Sequence, residues 1–88
     1  MIFIKRYVLK VNDSNYVTSI NWIIVIIPVI ATGPFEDALI LEENYLNEPI
    51  GHNGYDKSTT RKDLIIMHYP AIDFIKVKIV FDEELEAP

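Results

Sequence analysis

His52, Asp56 and His68 are the residues whose types could gather a metal ion, and their spacing argues against one. His52 and Asp56 stand four apart in a polar stretch, while His68 lies beside Tyr69 in an apolar segment. A zinc helix needs a His-Glu-x-x-His pattern, and thiolate sites need Cys, of which the chain has none. Asp13-Ser14-Asn15 carries a fragment of a calcium-loop pattern without its Gly or terminal Glu, so it reads as a turn. Ser14, Ser19 and Ser58 have no nucleophile elbow and no His close in sequence. The carboxylate pairs Glu36/Asp37 and Glu42/Glu43 are adjacent, which suits a solvated face better than an acid–base pair set across a cleft. Three Gly, none clustered, cradle no phosphate. These residues predict a non-enzymatic chain with no catalytic residue, no cofactor and no bound metal.

The remaining chemistry is that of surfaces. Net charge is −5. Lys5, Arg6 and Lys10 sit at the start, then no Lys or Arg occurs from residue 11 to 56. Over that span Asp13, Glu36, Asp37, Glu42, Glu43, Glu48 and Asp56 accumulate, and Asp82, Glu83, Glu84 and Glu86 follow at the end. Such a field repels phosphates and attracts basic protein surfaces. Lys5, Arg6, Tyr7 and Lys10 combine phosphate-binding and base-stacking types, but a pI of 4.8 is opposite to a nucleic-acid footprint. Trp22, Tyr45 and Tyr55 stand near bends or loops, and exposed aromatics anchor interfaces. The candidate partner-binding set is therefore Glu36, Asp37, Glu42, Glu43, Tyr45, Glu48, Tyr55, Asp56, Asp82, Glu83, Glu84 and Glu86. Its expected partner is a basic protein surface, without direct contact to nucleic acid.

The elements that must position these residues follow from pattern. With 88 residues, half of them hydrophobic, one domain with a real core is expected. Residues 2–11 have strand composition, with Phe3, Tyr7, Leu9 and Val11 sharing one face with Lys5, and Ile2, Ile4 and Val8 sharing the other with Arg6 and Lys10, so neither face is purely polar. Asn12-Asp13-Ser14-Asn15 is a turn, because short polar side chains bond to nearby backbone. Residues 15–20 return as a strand. Asn21-Trp22 is a bend, and 23–31 is a third strand. Thr32 caps a helix over 34–47, with Glu36 and Asp37 at its positive end; the alternative is a short strand at 39–41 between two helical turns. Residues 48–62 form a long polar loop. Residues 63–69 and 72–82 are further strands, the last with Ile75, Val77, Ile79 and Phe81 facing the core. Residues 83–88 form an acidic tail. The expected fold is α+β: a small antiparallel sheet of four to five strands with one short helix packed on it.

The apolar run from 20 to 31 is too short to span a bilayer as a helix and is broken by Asn21 and Pro28, so no membrane association is expected. Its Ile and Val residues favour extended chain, and Pro28 places that strand at a sheet edge or an irregularity. A strand this apolar needs cover on both faces. One solution is a homodimer that buries Trp22, Ile24, Ile26 and Val29.

Residues 6–21 (RYVLKVNDSNYVTSIN) resemble the opening hairpin of small acidic accessory proteins from phages and mobile elements of low-GC Gram-positive bacteria. Residues 33–39 (GPFEDAL) and 75–84 (IKVKIVFDEE) resemble the later segments of that pattern. The resemblance covers about half the chain and carries over no functional residue. It implies a role in binding and blocking a host protein, as anti-CRISPR and other counter-defence proteins do, some by DNA mimicry. The expectation is then an inhibitor of a host defence or nucleic-acid-handling protein, acting through its acidic surface in the bacterial cytoplasm. The alternative is a self-assembling structural or small-ligand-sequestering protein that oligomerises through the Ile-rich strand. The opening residues do not order charge and apolar length as a secretory signal does.

Overall fold

The computed structural model describes residues 4–50 and 56–78. The expected α+β fold is present: five antiparallel strands with one eight-residue helix and a shorter one. The strands are β1 (Arg6–Lys10), β2 (Tyr16–Ile23), β3 (Ile27–Gly33), β4 (Leu41–Glu42) and β5 (Asp73–Val77). The helices are α1 (Glu43–Leu46) and α2 (Arg61–His68).

β1 organises the sheet. β5 pairs along its whole length, with Leu9 opposite Phe74 and Val8 opposite Ile75. The other edge is shared: Arg6 and Tyr7 pair with Glu42 and Leu41 of β4, while Lys10 pairs with Tyr16 of β2. β3 pairs with β2 and forms an outer strand. Asn12 makes the first turn as its type predicts, its side-chain oxygen accepting from the Ser14 and Asn15 amides at 3.1 Å each. Leu9, Val17, Leu41, Leu46, Ile65 and Ile72 form the core, with Tyr7, Ile20, Trp22, Ile30 and Phe74 packed against it.

A bulge decides what β2 buries. The register slips between Val17 and Ser19, leaving Thr18 as the extra residue. Strict alternation from Val17 would turn Ser19 and Asn21 inward and Ile20 and Trp22 outward. The bulge reverses this, so Val17, Ile20 and Trp22 all reach the core while Asn21 and Ile23 face out. Gly33 lies beside the bulge. A Cβ there would meet the Thr18 methyl at 3.0 Å.

Several expected boundaries are corrected. Asn21-Trp22 is not a bend but continuous strand, and the chain reverses at 24–26 instead. The φ angles of Ile24 and Val25 there are 54° and 69°. Residues 34–47 are not one helix. Phe35–Asp37 is a single 3-10 turn, Leu41–Glu42 is strand, and α1 has four residues. Helical spacing was present, but pairing with the free edge of β1 outweighed it. Thr32 caps nothing, since it lies in β3 and the turn begins at Pro34 without a side-chain cap.

Residues 63–69 are not a strand. α2 occupies Arg61–His68, started by a reciprocal capping box in which Thr60 Oγ1 accepts from the Asp63 amide and Asp63 accepts from the Thr60 amide. Thr60→Ala should cost about 1 kcal/mol, read as a lower denaturant midpoint at unchanged slope. An unchanged midpoint would mean the cap carries no stability.

β5 turns the opposite side inward from the one expected. Cross-strand partners share a face, and Leu9 faces the core, so Phe74 does too and Ile75 is exposed outside. The expected core positions Ile79 and Phe81 lie outside the described residues. The loop over 48–62 is pinched at its base: Pro49 bridges Thr60, and the Ile50 amide donates to Thr59 O at 2.8 Å. Its last two residues belong to α2.

Candidate functional site

The core face of the sheet is filled. Leu64 and Ile65 of α2 are fully buried, and Ile65 joins the main core. Trp22 Nε1 donates to the Tyr45 hydroxyl at 2.8 Å, and Arg61 stacks over the Tyr45 ring at 4.2 Å. Arg61 also donates to Tyr45 O at 3.1 Å and to Glu48. Trp22 and Tyr45 are thus joined to each other inside the fold. They clamp α1 and α2 to β2, and their aromatic area is spent on packing rather than offered to a partner.

The acidic candidates are also partly engaged. Glu42 pairs with Arg6 at 3.7 Å across the β1–β4 ladder. Glu43 accepts the Tyr7 hydroxyl at 3.1 Å, and Glu48 pairs with Arg61. Asp56 accepts from the Ser58 hydroxyl at 2.6 Å and the Ser58 amide at 2.7 Å, and these bonds hold its carboxyl below the ordinary Asp range. Glu36 and Asp37 are different. Both are exposed on the 3-10 turn, and neither has an ion-pair partner among the described residues. Tyr55, Asp82, Glu83, Glu84 and Glu86 lie outside the described residues, as does His52.

The Tyr7 phenol is raised above its ordinary value, first by burial, then by its bond to Glu43 and the carboxylate charge. A raised folded value means that stability from neutral Tyr7 is complete below pH 10 and is lost as pH rises through the folded value. Tyr7→Phe should therefore flatten the alkaline fall in stability seen by circular dichroism. An identical alkaline limb in both proteins would contradict this linkage.

Tyr7, Glu43, Leu46, Asn47, Lys62 and Phe74 line a shallow hollow that opens to solvent, with a cavity volume of about 20 Å³. That is below the range of ordinary small-molecule pockets. His68 ends α2, exposed, with Nδ1–H donating to Leu64 O at 2.9 Å. Among the described residues no three His, Asp or Glu side chains gather, and no helix is long and apolar enough to cross a membrane.

The opposite face of the sheet has two halves. Over β1, β4 and β5 it carries Arg6, Lys10, Glu42 and Asp73. Over the β2–β3 hairpin it is apolar. Ile23 pairs with Ile27, Asn21 with Val29 and Ser19 with Ala31. Ile24 and Val25 at the tip are 65% and 51% exposed, and Ile23, Ile27 and Val29 are exposed beside them. Residues 14–35, which include the whole hairpin, carry no charged side chain.

Of the four residues expected at an oligomer interface, Ile24 and Val29 lie on this surface. Ile26 is half-buried, and Trp22 faces the core. Sequence reasoning missed Ile23, Val25 and Ile27. Five successive β-branched residues conceal a turn that Asn, Asp or Gly would have marked.

The fold and surface together define a small α+β protein with one face of its sheet packed and half of the other apolar and open. No family model, curated protein or solved structure was found to match the chain.

Proposed function

We infer that this chain is a non-enzymatic protein-interaction module that docks through the outer face of its β2–β3 hairpin. One observation carries the reading: Ile23, Ile24, Val25, Ile27 and Val29 form a continuous exposed strip on an uncharged hairpin. The strip is on the order of a few hundred Å² of apolar surface, the size at which exposed patches on small proteins tend to be functional. Leaving it in water forgoes roughly 25 cal/mol per Å² of burial.

A second reading is the acidic one, a phage-type inhibitor of a basic host defence protein. Exposed Glu36 and Asp37 favour it. Glu42, Glu43 and Glu48 support it less, because partner binding would compete with their internal contacts.

Site-specific photo-crosslinking in the full chain separates the two. A crosslinker at Val25 should give discrete adducts, and one at exposed Lys57 should give none. Adducts at Glu36 with none at Val25 would overturn the hairpin reading in favour of the acidic one.

A further inference from the structure

We propose that the occupant of the hairpin face is a second copy of this chain, packed face to face across a two-fold axis. The inference rests on the docking reading above. Its first support is charge. The β2–β3 hairpin carries no charged side chain, so two copies meet there without opposing like charges. A basic partner would find no carboxylate on this strip to pair with. An anionic lipid surface would find no Lys or Arg, and the indole that would suit an interfacial position is turned inward to Tyr45.

The second support is that edge-to-edge pairing, the other common route to a β dimer, is obstructed on this hairpin. β3 is an outer strand, and edge-to-edge pairing would need its outward amides. Pro28 has none, and its carbonyl already accepts the Tyr69 hydroxyl at 2.9 Å. For the hairpin, that leaves its face rather than its edge.

The third support is shape. Two antiparallel hairpins whose outer faces carry Ile23, Ile27 and Val29 can pack as the halves of a sandwich about 10 Å apart. A two-fold contact asks only that one patch fit itself. Ser19 and Asn21 on the same face supply a polar rim. A stable interface buries about 800 Å² per partner, of which this strip is the apolar centre.

Sedimentation equilibrium of the full chain over a micromolar dilution series tests this. The expected result is a reversible species of twice the 10.2 kDa monomer mass. Val29→Lys should weaken it at least tenfold. Ile66→Lys, the same change on the exposed side of α2, should leave the dissociation constant unchanged with both variants folded by circular dichroism. Should Val29→Lys fail to fold, Ile24→Lys at the exposed tip serves instead. A monomer at every concentration, or equal weakening by Ile66→Lys, overturns the proposal. An apolar fluorescent dye then tells the two failures apart. If a monomeric wild type binds dye and Val29→Lys does not, the docking surface stands with another occupant. If neither binds dye, the docking reading falls as well.

Discussion

Leu9→Ala is expected to remove a large share of this protein's stability. Leu9 is fully buried at the centre of β1, the strand that pairs with β2, β4 and β5. Removing three buried carbons there costs the transfer free energy plus an unfilled cavity, about 2–5 kcal/mol. A chain of this length has roughly 4–13 kcal/mol in all. The surroundings cannot collapse easily, because Val17, Leu41 and Phe74 are held by strand pairing. Thermal unfolding should show a melting temperature lower by 10 °C or more, at about 4–8 °C per kcal/mol. Ile75→Ala is the contrast: Ile75 lies on the adjacent strand but faces outward and exposed. A similar loss in both variants would mean that the register of β5 on β1 is not the one described.

The second large effect runs the other way. Replacing Ile24 with Asn and Val25 with Gly should stabilise the monomer. Both residues hold positive φ, where an L residue pays roughly 1–2 kcal/mol and a β-branched one is least at home. Asn and Gly are the residues that adopt positive φ most readily. Relief of about 1–3 kcal/mol should raise the melting temperature by several degrees. The same change removes the most exposed apolar side chains of the hairpin, so self-association should weaken while stability rises. Strain retained at a surface tip is expected where contact needs those side chains. If the doubly substituted chain melts lower than the parent, the turn does not adopt the conformation described. If it melts higher and associates as before, the tip takes no part in the interface.

How much of this was legible beforehand depended on how local the cause was. The turn at Asn12 to Asn15 was readable because its side chains bond their own backbone. β1 was readable as a strand but not by its faces, because Tyr7, Leu9 and Val11 stand on one side and Val8, itself buried, on the other. Thr60-Arg-Lys-Asp63 was a local helix-start signal that the apolar, strand-like run after it obscured. The candidate site was legible in kind, as a greasy segment needing cover, but not in membership. Of the four residues expected there, the structure puts Ile24 and Val29 on the surface, half-buries Ile26 and turns Trp22 inward, because which residues face out depends on the Thr18 bulge and on the reversal at 24–26.

By itself the sequence determined the α+β class, the strand at the start, the outer position of the Pro28 strand and the presence of an apolar excess. Those follow from side-chain type and short-range spacing, which act before the chain is compact. Tertiary structure alone decided between one helix over 34–47 and a short strand between helical turns, by pairing Leu41–Glu42 with β1, and it decided that Phe74 rather than Ile75 faces inward. It also decided that the acidic residues at 42, 43 and 48 are engaged within the fold. Each of these turns on a partner distant in sequence. A free β-edge, a one-residue register slip or a nearby guanidinium is worth more than the modest preference of any single residue.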